Sequence, residues 1–131
     1  MKPTHMSFPL LILSFVALSL SALQAKTVFK AGEDGYRIYR IPAVVKVANG
    51  DLLAFCEARQ GGDASEIDLV VKRSKDGGKS WGSLKVVQES ADFVKILGGR
   101  TKDVTIGNPA PVVDLLDPDH PGRIWLPFTL E

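Results

Sequence analysis

The sequence predicts an all-β fold on two observations. Short apolar runs alternate along the chain with turns rich in glycine, asparagine, aspartate and proline. The helical spacing of apolar residues, every third or fourth position, is absent throughout. Size and composition fit a globular protein, with 131 residues, 45% of them hydrophobic, and a formal net charge of +1. Because nucleic-acid binding needs a basic field that this charge balance lacks, we expect no nucleic-acid partner.

The first 25 residues are predicted to be a signal peptide. Lys2 precedes an apolar run over 8–20, and small residues follow as far as Ala25. This order of charged, apolar and cleavage regions is typical of a secretory signal. The apolar run is too short and too interrupted to cross a bilayer comfortably, so we expect no stable membrane span. Residues 26–131 would then be the mature part of a secreted or periplasmic protein, and an uncleaved N-terminal anchor is the alternative.

Four strands joined by successive turns form the first predicted unit, an antiparallel meander. We expect them over 40–47, 52–58, 66–73 and about 81–88. Both faces of the second strand are apolar, with Leu53 and Phe55 on one side and Ala54 and Cys56 on the other. A free-standing sheet would have one polar face. The pattern therefore implies layers packed on both sides, as in the blade of a β-propeller.

A second unit is expected after a long connection over 89–107. Its strands are predicted over 110–114 and 123–128, joined by a turn over 116–122 that is rich in proline, aspartate and glycine. The chain would thus hold about one full blade and part of a second. The last residues form an apolar, strand-like run with no closing turn, so we expect a truncated domain; a complete small β-domain that ends on a strand is the alternative.

Neither a metal nor another cofactor is expected. The chain has no cluster of histidine, cysteine and carboxylate residues at metal-ligand spacing. Its single cysteine, Cys56, lies in an apolar run and has no partner for an intrachain disulfide. Since neither histidine of the sequence lies near it in the chain, we expect a buried, inert thiol rather than a nucleophile.

Residues 74–81 form a turn between two apolar strands, with the pattern Ser-x-Asp-x-Gly-x-x-Trp. Asp76 can accept hydrogen bonds from backbone N–H groups, and Gly78 can adopt a positive φ without a Cβ clash. Trp81 offers a large ring to pack behind the hairpin. We assign Ser74, Asp76, Gly78 and Trp81 a structural role. The pattern resembles the Asp-box of sialidase-type β-propellers, which also occurs in other propellers.

Two further motifs make the resemblance to sialidases specific. The first is Tyr-Arg-Ile-Pro over 39–42, and the second is Glu-Ala-Arg over 57–59 followed by an aspartate in a glycine-containing loop. The resemblance implies that Arg40 and Arg59 bind substrate and that Asp63 is the general acid and base. A guanidinium suits the sialic acid carboxylate because it is always charged and presents a fork of N–H donors.

Each of these assignments has a competing interpretation. Arg40 would be an ordinary rim salt bridge if the motif match were accidental. Glu66 and Asp68 are rival carboxylates for Asp63, and we expect both to face solvent or cap a strand end. The segment that begins at Asn108 resembles the start of the family's next blade, and we expect it only to shape the pocket wall.

The resemblance implies a six-bladed β-propeller and an exo-sialidase that acts on sialylated glycans without a cofactor. It also implies a retaining mechanism with a tyrosine nucleophile, because a carboxylate nucleophile would meet the substrate's own carboxylate. That tyrosine, its glutamate partner and two more arginines are not found in this chain, so we predict that the chain alone has no sialidase turnover. A secreted, non-catalytic Asp-box propeller that binds glycans or proteins is the alternative, and hydrolysis is not separated from transfer of sialic acid.

Overall fold

The computed structural model describes residues 25–97 and 104–131, and most of the predicted signal peptide lies outside them. Its secondary structure is mostly β, as the sequence predicts. In chain order the elements are β1 (Ile38–Lys46), β2 (Leu52–Arg59), β3 (Ile67–Ser74), β4 (Lys85–Gln88), α1 (Ser90–Ile96), β5 (Ile106–Gly107), β6 (Val112–Asp114), β7 (Arg123–Trp125) and β8 (Thr129–Leu130).

The first four strands form one antiparallel sheet in the order β1-β2-β3-β4. This is the predicted meander, and two strands begin two or more residues away from their predicted starts. β1 begins two residues before Arg40, and β4 begins at Lys85 rather than near Trp81. The reason for the later start is that the Gly82 amide donates to the Arg73 carbonyl at 2.8 Å. The turn therefore extends past Trp81, and the ladder resumes only with the pair Val71 and Lys85.

The connection predicted over 89–107 contains one short helix, which the sequence analysis did not predict. α1 has seven residues, fewer than the 11 to 18 over which helical periodicity becomes visible. The Ser90 amide at its start donates to Asp68 Oδ1 of β3 at 3.1 Å. The Phe93 ring packs edge-on against Phe128, with 5.7 Å between centroids. Among the described residues, no helix is long and apolar enough to cross a membrane.

The second unit consists of two small antiparallel pairs. β6 pairs with β7 as predicted, but both strands are shorter than expected, at three residues each. β5 pairs with β8, through Ile106 opposite Leu130 and Gly107 opposite Thr129. Neither two-residue strand was predicted, because a run of two residues carries no periodicity. This pair matters for the site, since β5 also contacts β3.

Both faces of the two inner strands, β2 and β3, are buried, as the apolar faces of the second strand predict, whereas β1 and β4 are largely exposed. On one face, Cys56 and Val70 lie under the aromatic rings of Phe29, Tyr36 and Tyr39. Burial raises the pKa of the Cys56 thiol to about 11, so the thiol stays protonated at neutral pH. The opposite face carries a second buried group that includes Phe55, Glu57, Ile67 and Leu69, on the side where β5 packs. Within the described residues, a segment that precedes β1 therefore covers much of the first face.

Candidate functional site

The antiparallel register brings the predicted site residues to one end of the sheet. Arg40 of β1 lies opposite Glu57 of β2, two residues before Arg59 ends that strand. The loop over 60–66 then joins β2 to β3 and carries Asp63. The start of β1, the end of β2 and this loop are therefore neighbours, and the side chains of Arg40, Arg59 and Asp63 meet there.

Asp63 forms an ion pair with both arginines. Its Oδ1 accepts a hydrogen bond from Arg40 Nη1 at 3.0 Å and another from Arg59 Nη1. The Asp63 side chain is 79% exposed and that of Arg40 is 53% exposed, whereas that of Arg59 is only 6% exposed. The hydrogen bond from Arg59, followed by the positive charge of Arg40, holds the pKa of Asp63 below its ordinary value. The Asp63 carboxyl group is therefore ionised in the ligand-free site.

A backbone distortion in β1 accompanies the placement of Arg40. The β1–β2 register shifts between Arg40 and Ala43, and Ile41 has a φ of 51°. A left-handed conformation is a genuine outlier for a β-branched residue, at a cost of order 1–3 kcal/mol. Pro42 lies inside this bulge on an edge strand, where its missing N–H leaves no gap in a ladder. The displaced Arg40 carbonyl accepts a hydrogen bond from Cys56 Sγ at 2.9 Å.

Glu57 is a buried carboxylate that the sequence reasoning missed as part of the site. Its Oε2 accepts hydrogen bonds from Arg59 Nε at 2.8 Å and from Arg59 Nη2. Its Oε1 accepts the backbone N–H of Asn108 at 2.7 Å. The signal was present in the sequence, because residues two apart in a strand share a face and a charge within an apolar strand needs a partner.

An open cavity of about 260 Å³ lies beside these groups. Its walls come from both units of the chain: Arg40, Ile41, Glu57, Arg59, Asp63 and Ile67 from the first, and Thr105, Ile106, Gly107, Asn108, Thr129 and Glu131 from the second. The cavity is slightly smaller than typical ligand pockets of roughly 300–1,000 Å³. The second unit thus forms a pocket wall, the part expected of the segment that begins at Asn108.

The two rival carboxylates do not join this cluster. Asp68 was expected to face solvent or cap a strand end; it is half-buried, and it accepts hydrogen bonds from the Tyr36 hydroxyl at 2.7 Å and from the Ser90 amide, which hold α1 to the sheet. Burial, together with the hydrogen bond to Asp68, raises the pKa of Tyr36. Glu66 lines a separate cavity beside α1. Among residues 25–97 and 104–131, no group of three histidine, cysteine or carboxylate side chains could hold a metal ion.

The turn over 74–81 lies at the opposite end of the sheet from Asp63. Ser74 Oγ donates to Asp76 Oδ1 at 2.8 Å and accepts the Gly78 N–H at 2.8 Å. Gly78 has a φ of 92°, which suits glycine. Hydrogen bonds, first from the Ser80 side chain and amide and then from Ser74, lower the pKa of Asp76. Trp81 is partly buried beside the turn. Ser74, Asp76 and Gly78 thus shape the backbone of the hairpin, away from the arginine cluster.

Fold and site together define a class of protein: a mostly β chain with a polar cavity whose two arginines suit an anionic ligand. A scan against models of protein families matches none. Over 69 residues the chain is 39% identical to a sialidase from Micromonospora viridifaciens, covering 51% of this chain and 11% of that protein. It is 38% identical over 82 residues to an exo-alpha-sialidase from Aspergillus fumigatus, covering 61% of this chain and 19% of that protein.

A comparison with solved structures also finds a sialidase. The structure of Hadza microbial sialidase Hz136 matches with a TM-score of 0.60 and 31% sequence identity, over 73% of this chain and 18% of that one. The chain is therefore similar to one part of several sialidases. It spans between 11% and 19% of the length of the curated relatives it matches.

Proposed function

We propose that this chain supplies part of the active site of an exo-α-sialidase, a retaining glycoside hydrolase. Its substrates would be glycoproteins, glycolipids and oligosaccharides that end in sialic acid. The chain would form the first blade and part of the second in a six-bladed β-propeller. The observation that carries the proposal is the meeting of Arg40, Arg59 and Asp63 at one cavity, in a chain similar to sialidases. Export by the signal-like first 25 residues is part of the proposal.

The arginines would bind the substrate carboxylate by exchange with Asp63. In the ligand-free site, Asp63 is the counterion of both guanidinium groups. A substrate carboxylate offers the same two oxygens and the same charge, so it can replace Asp63 on the exposed Arg40 without leaving a cation unpaired. Binding would therefore release the Asp63 side chain towards the departing sugar.

This exchange would also prepare Asp63 for acid catalysis. A general acid must be protonated, but the arginines keep the pKa of Asp63 low in the empty site. Once a substrate carboxylate takes its place, Asp63 loses a positive neighbour and gains a negative one. Both changes raise the pKa of a carboxyl group. Asp63 could then protonate the glycosidic oxygen and later activate water.

The nucleophile would come from outside this chain. Neither described tyrosine reaches the cavity: Tyr36 donates to Asp68 on the other face, and Tyr39 donates to the Glu33 carbonyl at 2.8 Å. Burial raises the pKa of Tyr39 to about 12, which disfavours a phenolate. We propose that the tyrosine of the retaining mechanism, its glutamate and two further arginines belong to a longer gene product.

The test is release of sialic acid from a natural sialyl-oligosaccharide, whose leaving group needs a proton, by the complete gene product. We expect turnover, a loss of about 10²–10⁴-fold in Asp63→Ala, and a large rise in KM in Arg40→Ala. Asp119→Ala, in the exposed β6–β7 turn, is the matched control and should leave activity unchanged. Normal turnover in Asp63→Ala would refute the catalytic assignment. Sialoside binding without turnover in the parent protein would favour the alternative, a secreted, non-catalytic Asp-box propeller.

A further inference from the structure

We propose that Glu57 is a positioning residue of this site, which holds the Arg59 guanidinium and the opposite cavity wall at the same time. The inference rests on the proposed function of Arg59 and Asp63. Glu57 does not bond to the Nη1 atom of either arginine, and in the proposed mechanism it does not touch the reacting atoms. Three observations carry it: the donors that Glu57 occupies, the close approach of Gly107, and the balance of charges.

The hydrogen bonds of Arg59 leave one nitrogen directed towards the site. Glu57 Oε2 accepts from both Nε and Nη2, so the bond to Asp63 comes from Nη1. The Glu57 side chain is 2% exposed, and water therefore cannot replace it as acceptor. Because a guanidinium is planar and rigid, fixing two of its nitrogens fixes the direction of the third. The position of Arg59 Nη1 is thus set by Glu57.

The second oxygen of Glu57 holds the opposite wall of the cavity. Oε1 accepts the backbone N–H of Asn108, which is 51 residues away in the sequence and has a left-handed φ of 53°. A Cβ atom at Gly107 would lie only 2.6 Å from Oε1. The φ of Gly107 is not positive, so the close approach of the Glu57 carboxylate is what requires a glycine here. The Glu57 carboxylate therefore sets both the position of the Arg59 guanidinium and the distance between β2 and β5.

The Glu57 carboxylate offsets part of the positive charge beside Asp63. Two cations, Arg40 and Arg59, face two anions, Glu57 and Asp63, and Glu131 also lines the cavity. Removal of the Glu57 charge makes the electrostatic potential at Asp63 more positive. A glutamine at this position cannot restore the bonding, since its N–H₂ group would face a donor of either Arg59 or Asn108.

The experiment is a carboxyl ¹³C NMR titration of the 131-residue chain, with the Asp63 signal assigned by its loss in Asp63→Asn. In Glu57→Gln we expect the pKa of Asp63 to fall below its value in the parent chain, because the acid now faces uncompensated cations. The Asp114 signal is the internal control and should not move. An unchanged Asp63 titration in a folded Glu57→Gln variant would overturn the proposal.

A second variant covers the case in which Glu57→Gln fails to fold. Gly107→Ala keeps every charge but pushes the Glu57 carboxylate away, so we expect a smaller fall in the pKa of Asp63. Loss of folding in both variants, judged by circular dichroism, would assign Glu57 to stability alone and contradict the proposal. In the complete gene product, either folded variant should lose about a hundredfold in kcat/KM through misplaced groups. The titration does not require turnover, so an inactive gene product would refute the proposed function and leave this inference standing.

Discussion

Replacement of Arg59 by methionine should destabilise the protein strongly, because it strands a buried carboxylate. Glu57 is 2% exposed and the Arg59 side chain 6% exposed, so neither group has water to replace its partner. Removing one member of a buried ion pair costs about 3–5 kcal/mol. Native domains have only roughly 5–15 kcal/mol of unfolding free energy in total. We therefore expect Arg59→Met to lose a large part of the stability.

Removal of both charges should recover most of that loss. The double variant Glu57→Gln/Arg59→Met leaves no buried charge, and the glutamine oxygen can still accept the Asn108 N–H. Because a buried ion pair and a neutral packed pair are often of similar stability, we expect the double variant within about 1–2 kcal/mol of the parent. The coupling between the two sites should then be about 2 kcal/mol or more.

The assay is urea unfolding with linear extrapolation to water. Lys95→Met is the matched control: Lys95 also pairs with a carboxylate, that of Asp92, but the two side chains are 79% and 48% exposed. A pair so open to solvent should contribute about 1 kcal/mol or less. Equal losses in Arg59→Met and Lys95→Met, or a double variant no more stable than Arg59→Met, would refute the reasoning.

Three further predictions concern the rest of the chain. Ser74→Ala should lower the free energy of unfolding in urea by about 1–3 kcal/mol, because the Gly78 N–H loses its acceptor. It should leave the pKa of Asp63 unchanged. A shifted pKa would contradict this, since it would show that the two ends of the sheet are coupled. Cys56 should react slowly with a thiol reagent at pH 8, because with a pKa of about 11 only about one thousandth of the Cys56 side chains are deprotonated. Rapid labelling of the folded chain would contradict this. The pKa of Asp63 in the folded chain lies below its ordinary 3.8, so the stabilisation from its ion pairs is complete above pH 3.8 and is lost as the pH falls through the folded-state pKa. Asp63→Asn should therefore weaken the fall in unfolding free energy at acid pH. An unchanged fall would count against the ion pairs.

The sequence determines the central hairpins through local chemistry that can be read directly. Asn49-Gly50 predicts the first turn, and Gly50 indeed has a φ of 90°. The serine and aspartate of the 74–81 turn bond within their own segment, so their geometry needs no knowledge of distant residues. The meeting of Arg40 with Asp63 follows from antiparallel register once the strands are known. Their catalytic and binding roles stay predictions.

Other features depend on contacts that no local pattern contains. α1 is too short to show a period, and its start is bonded to Asp68, 22 residues earlier in the chain. The left-handed Ile41 contradicts the preference of a β-branched residue, and only the surrounding bulge accounts for it. Glu57 reads as one charged residue in a strand, and its role depends on Asn108, 51 residues later. These are the elements that join the two units of the site.

The most direct test of the account compares two leaving groups in the Asp63→Ala variant of the complete gene product. A natural sialoside has a poor leaving group that needs a proton, whereas an aryl sialoside with an acidic phenol departs without one. We predict that Asp63→Ala loses about 10²–10⁴-fold in kcat/KM on the natural glycan and far less on the activated aryl substrate. Equal losses on both substrates would contradict the assignment of Asp63 as the proton donor.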